Sequence, residues 1–289
     1  MERTVAVNGI GLHVLDHPGG PPVLVLLHGL SANAHHFDGL VAAGLVPRCR
    51  AVAPDLRGRG LSDKPVTGYA MADHAADVLG LLDQLGLERV VLGGHSFGAL
   101  LTVYLAVHAP ARVTKLIMLD GAASMHPEVR ALIAPSLARL GEVYPSEAAY
   151  LERIRAMPFL RGYWSPELEG AFHAELEPHP DGRVSVRTSA AAIAEALDHV
   201  LAEPWEELVA RVEQPTLLVR APEGYGPPVA PPILREADAR GTVDRMRNAR
   251  YVETTGNHLT MLFGEHAPTT VKAILGFVEE ALPGVVSAT

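Results

Sequence analysis

A serine hydroxyl becomes a useful nucleophile only when a base takes its proton and the backbone holds it clear of its neighbours. The run Gly94-His95-Ser96-Phe97-Gly98 has the residue types for this. A G-x-S-x-G pattern makes a sharp turn between a strand and a helix, with the serine raised at its tip. Gly94 and Gly98 let the two backbones approach, Ala99 adds no bulk, and the first N–H groups of the helix bring partial positive charge to Ser96. A phosphate-binding loop is excluded, because Ala99 stands where that motif needs lysine. Other clusters offer less. His35-His36 and His173…His179 lack metal-ligand spacing on a helix, so no metal is expected and these rings should be solvated or hydrogen-bonded. Cys49, between Arg48 and Arg50, precedes a strand and is expected to pack rather than react.

The elements that must position this serine follow from hydrophobic pattern. Val5–Val7 and Ile10–Leu15 flank Asn8-Gly9, a pair that accepts two positive φ angles, and so predict a β-hairpin. Val23–Leu27 is apolar at every position, the mark of a strand buried on both faces. Ala51–Ala53, Val90–Leu92, Leu116–Leu119, Thr216–Val219 and Arg250–Glu253 are further short strands. Amphipathic stretches such as Ala72–Leu85 and Leu100–His108 lie between them as crossover helices. This alternation predicts an α/β protein with an open, mostly parallel sheet wrapped by helices. Residues 124–210 break the rhythm with helical patterns separated by Pro127, Pro145, Pro158, Pro166 and Pro178, and are too long for a loop. They read as a helical insertion lying over one edge of the sheet.

Composition narrows the function. The chain has 289 residues, 33 acidic against 24 basic, and a formal charge of −9. Such a balance gives no electrostatic reason to hold nucleic acid, and no Lys/Arg cluster provides a local exception. The longest nearly uncharged apolar stretch, Gly98–Val107, is about half what a bilayer needs, so no membrane partner is expected. Met1-Glu2-Arg3-Thr4 lacks the start of a secretion signal and Cys49 is the one cysteine, which together predict a cytoplasmic protein.

His28-Gly29-Leu30 at the end of Val23–Leu27, taken with Gly94–Gly98 and Asp55-Leu56-Arg57-Gly58-Arg59-Gly60-Leu61-Ser62-Asp63, resembles the α/β-hydrolase superfamily over nearly the whole chain. The resemblance implies a mostly parallel eight-stranded sheet flanked by helices. Residues 1–123 and 211–289 would form the core domain and 124–210 a helical cap. It implies an oxyanion hole from the N–H groups of Leu30 and Phe97. His28 would border the substrate pocket in a structural role, and the Asp55–Asp63 stretch would be a scaffold turn with its charges paired or solvated. The fold orders its triad Ser, acid, His. His258, in Gly256-Asn257-His258 after the last strand, is the base, ahead of His266.

The acid has two candidate positions. Relatives usually read Gly-x-x-Asp after the seventh strand; this chain departs from that with Ala221-Pro222-Glu223-Gly224-Tyr225-Gly226 and offers only Glu223. Some relatives instead place the acid directly after the sixth strand, and Asp120 stands there, 24 positions after Ser96. A helix, a short loop and a strand fill that interval, so Asp120 should emerge beside the serine, and it is the preferred acid.

The cap holds Tyr144, Tyr150, Phe159, Tyr163, Trp164 and Phe172, with Met157, Phe159 and Trp164 the expected pocket residues. An aromatic roof on an acidic protein suits uncharged, moderately hydrophobic substrates. The expectation is a carboxylic ester hydrolase working through an acyl-enzyme on a small-molecule ester, with no cofactor; oligomeric state is open, a homodimer included. A serine nucleophile argues against epoxide hydrolase and haloalkane dehalogenase chemistry, whose relatives use aspartate. A lactonase, a carbon–carbon bond hydrolase, a cofactor-free haloperoxidase and a poorly catalytic small-molecule receptor are the rivals.

Overall fold

Successive side chains of Val23–Leu27 (β3) enter opposite cores, which explains the unbroken apolar run: Leu24 and Leu26 pack on one face of the sheet, Val25 and Leu27 on the other. This is seen in a computed structural model that describes residues 1–226 and 230–280. Residues 227–229 and 281–289, part of the expected core domain, lie outside the described residues.

Eight strands form one sheet in the order β1-β2-β4-β3-β5-β6-β10-β11. They are β1 (Glu2–Val7), β2 (Ile10–His17), β3, β4 (Arg50–Pro54), β5 (Val90–His95), β6 (Val113–Leu119), β10 (Thr216–Arg220) and β11 (Ala249–Glu253). β1 pairs with β2, and β2 with β4, antiparallel; every other pair is parallel. The parallel strands place their carboxyl ends on one edge, where ligands of open α/β sheets bind. Helices α1 (Met71–Gln84) and α2 (Phe97–His108) follow β4 and β5. α2 begins directly after Ser96, three residues before its apolar run suggests.

Between β6 and β10 the chain forms α3 (Val129–Leu137), α4 (Glu147–Arg155), α5 (Pro166–Ala174), α6 (Ala190–Ala202) and α7 (Trp205–Ala210). The sequence pattern predicts a helical insertion here, but the region is not wholly helical. β7 (Val143–Tyr144), β8 (Leu176–Pro178) and β9 (Val184–Val186) make a small antiparallel sheet. Strands of two or three residues are too short to show an alternating pattern, so only the Asp181-Gly182 turn hinted at them. After β10 come α8 (Glu236–Arg245) and, beyond β11, α9 (Ala267–Val278). Among the described residues no helix is long and apolar enough to cross a membrane.

Candidate active site

Ser96 sits between β5 and α2 with φ 54° and ψ −114°, a strained conformation for a residue with a side chain. Close packing holds it there. A Cβ on Gly98 would stand 1.9 Å from the Leu27 carbonyl oxygen, and one on Gly94 would meet the Gly98 carbonyl at 2.2 Å. Gly121, which the sequence reading passed over, serves the same turn: its Cβ would lie 2.8 Å from the Ser96 carbonyl oxygen. The backbone N–H of Ser96 donates to Leu119 at the end of β6.

Asp120 follows Leu119 directly and also has positive φ, 47°. Its N–H donates to Val219, its Oδ1 accepts the N–H of Ala221, and its Oδ2 lies 2.7 Å from His258 Nδ1. The carboxylate is 2% exposed and His258 8%. With the Asp120 carboxylate accepting a hydrogen bond from Nδ1–H, Nε2 of the neutral His258 ring keeps its lone pair, the tautomer a general base needs. Below the imidazole lies His95, 4.6 Å between ring centroids, which donates from Nε2 to the His258 carbonyl. Glu223 is exposed and accepts instead from the N–H of Gly256. His266 is bonded to Thr255 and stacked on Tyr163, away from Ser96 and Asp120.

Ser96, Asp120 and His258 line one cavity of about 150 Å³. Leu30, Phe97, Met157 and Phe159 line it too. The N–H groups of Leu30 and Phe97 have no protein acceptor among the described residues. Asn257 ties the segment between β6 and β10 to the histidine loop by donating to the Phe159 carbonyl.

Two expected pocket residues lie elsewhere. His28 does not border the cavity: it is fully buried, with Nδ1 on the Gly29 carbonyl and Nε2 accepting the N–H of Leu56. Burial pushes its pKa down to about 4, so it is a neutral tie between the loops after β3 and β4. Trp164 also misses the cavity, because its indole N–H is drawn to Glu169 and its ring is covered by Arg155 at 4.6 Å. It stands behind Phe172, which does line the cavity.

The structure adds residues that pattern did not reveal. Tyr225 stacks on Phe159 at 4.2 Å and meets His258 edge-on at 5.5 Å. The only signal for it was the Gly/Pro-rich stretch after β10, where an acid was sought. His36 lines the cavity between Phe172 and Phe263, 5% exposed. It is neither solvated nor hydrogen-bonded, contrary to expectation, since the aromatic rings exclude water without offering an acceptor. Burial pushes its pKa down to about 3. Arg139 reaches the cavity from the end of α3, fully engaged with Glu175 and the Ser31 and Ser136 carbonyls.

A family described as the alpha/beta hydrolase fold matches residues 22–163. A 2-(acetamidomethylene)succinate hydrolase from Mesorhizobium japonicum is 37% identical over 120 residues, 42% of each chain. Epoxide hydrolase 2 of Siraitia grosvenorii is 39% identical over 123 residues, 40% of this chain and 37% of its own. The chain thus matches less than half the length of these curated relatives. Over whole structures, an E-2-(acetamidomethylene)succinate hydrolase superposes with TM-score 0.82 at 27% identity, covering 97% of this chain and 99% of the other. The enol-lactonase from Burkholderia xenovorans LB400 gives 0.71 at 24% identity, covering 96% and 100%, a likeness of fold. With the strand order, the elbow at Ser96 and these similarities, the chain belongs to the α/β-hydrolase superfamily.

Proposed function

We propose that the protein is a serine hydrolase of carboxylic esters that works through an acyl-enzyme. The observation that carries this reading is the Asp120–His258 pair at 2.7 Å lining the same cavity as Ser96. His258 takes the Ser96 proton as the hydroxyl attacks the carbonyl carbon. The N–H groups of Leu30 and Phe97 receive the negative charge that develops on the carbonyl oxygen. His258 then protonates the leaving alcohol as the carbon–oxygen bond breaks. A water deprotonated by the same imidazole releases the acid and regenerates Ser96.

The substrate class follows from the lining. Met157, Phe159, Phe172 and Leu197 are apolar, and the one arginine in the wall spends its donors on Glu175 and backbone carbonyls. That favours an uncharged, moderately hydrophobic acyl or alcohol group. A volume near 150 Å³ suits a group of about benzene size. The carboxylates named in the substrate of the succinate-type relative would find no free cation on Arg139. Epoxide opening, the activity in the name of other relatives, is disfavoured by a serine at the elbow.

The test is hydrolysis of p-nitrophenyl esters from acetate to palmitate by wild type and Ser96→Ala. Turnover of short esters that disappears in the variant is the expected result. A folded wild type that opens lactones or cleaves carbon–carbon bonds but no ester would overturn the ester reading.

A further inference from the structure

Scaffold charges in the loop after β4 were expected to be paired or solvated, and Arg59 is neither. Its side chain is 0% exposed, and among the described residues no carboxylate lies within salt-bridge distance of it. The two acids that could serve are taken: Asp77 holds Arg57 through two bonds, and Asp55 holds His13 and the N–H groups of Ala34 and Leu61. Arg59 is left with neutral partners. Nε donates to the Leu30 carbonyl at 2.9 Å and Nη1 to the Arg57 carbonyl at 2.6 Å, with His74 at 3.4 Å and Nη2 unpartnered. The guanidinium lies 5.4 Å from the centroid of Phe97 and 6.0 Å from that of Tyr69.

Burying an uncompensated cation costs stability, and such costs are retained mainly where they serve a site. Here the cation touches both residues expected to form the oxyanion hole, which line the cavity with Ser96 and whose N–H groups have no protein acceptor among the described residues. It grips the carbonyl of Leu30 and covers the ring of Phe97. The next carbonyl, that of Ser31, accepts from Arg139 of the cap at 2.8 Å. Two successive carbonyls are thus held by guanidinium groups, which restrains the backbone next to the Leu30 N–H. Desolvation, with Arg57 nearby, lowers the Arg59 pKa to about 9, which leaves it charged at neutral pH.

We propose that Arg59 is the positioning residue of the oxyanion hole, holding the Leu30 carbonyl and placing an unpaired positive charge behind the Leu30 and Phe97 N–H groups. It acts through those groups and does not touch substrate. The inference rests on the serine-hydrolase reading above.

The test uses the full chain with Arg59→Met, measuring p-nitrophenyl ester kinetics, the Ki of an aryl trifluoromethyl ketone and Tm. Such a ketone adds to Ser96 and carries a full oxyanion. The expected result is a Ki raised about 10-fold, short of the ~10²–10³ for losing a donor outright, with kcat reduced in parallel. KM should stay within about two-fold, and Tm should be unchanged or raised because a buried charge is gone. A Ki within about two-fold of wild type would overturn the proposal. Should Arg59→Met not fold, Arg59→Gln carries the same comparison, since it keeps a donor for Leu30 and lacks the charge. Labelling of wild-type Ser96 by a fluorophosphonate separates the two levels. Without it the serine-hydrolase reading falls and this inference with it; labelling with an unaltered variant Ki sinks this inference alone.

Discussion

Asp120 and His258 are 138 residues apart in the chain and 2.7 Å apart in the fold, joined through a carboxylate whose second oxygen is held by the Ala221 N–H. Three neighbouring parallel strands bring this about. β5, β6 and β10 end one residue before Ser96, Asp120 and Ala221 respectively, so all three arrive at one edge of the sheet. The positive φ of Asp120 turns the chain there and keeps the carboxylate beside the sheet edge.

Asp120→Asn should therefore reduce kcat by about 10³–10⁴-fold with little change in fold, because the amide favours the wrong imidazole tautomer. Glu223→Gln, exposed and bonded to the Gly256 N–H, should stay within about three-fold of wild type. Steady-state hydrolysis with circular dichroism of both variants checks this, and the reverse ranking would reassign the acid.

The two cap aromatics should separate in the same assay. Phe159 lines the cavity, so Phe159→Ala should raise the octanoate-to-butyrate ratio of kcat/KM by about 10-fold, the scale of one or two methylenes. Trp164, held outside by Glu169 and Arg155, should leave that ratio within about two-fold when changed to alanine. An equal shift in both variants would mean that Trp164 shapes the cavity after all.

His36 makes an acid-stability prediction. Its folded pKa is lowered by burial to about 3, against 6.5 in the unfolded chain. Below pH 6.5 the unfolded state binds a proton that the folded state refuses, so the stability present above that pH is lost as pH falls. His36→Phe removes this one proton. Relative to the variant, wild type should lose about 2 kcal/mol between pH 7 and pH 5, at ~1.4 kcal/mol per unit. Urea denaturation of both proteins at several pH values measures it; a difference that does not vary with pH would contradict the burial of a neutral imidazole.

Chemistry carried by contiguous residues was legible in the chain. The Gly94–Gly98 turn and its small neighbours encode their own strain, since only those glycines permit the contacts at Leu27 and Gly98. The apolar strands and the helices between them fix the parallel order, and chain direction then brings residue 120 to the same edge as residue 96. What remained hidden depends on contacts between distant segments. No pattern around Trp164 says that Glu169 and Arg155 will hold its ring off the cavity, nor that Tyr225 will face His258. The charge state of Arg59 is the sharpest case. Its loop carries Asp55 and Asp63, yet the fold assigns these carboxylates and that of Asp77 to other partners and leaves the cation buried against Leu30 and Phe97. Local sequence sets backbone geometry through sterics and periodicity; which charges meet, and which stay alone, is decided by packing across the whole tertiary structure.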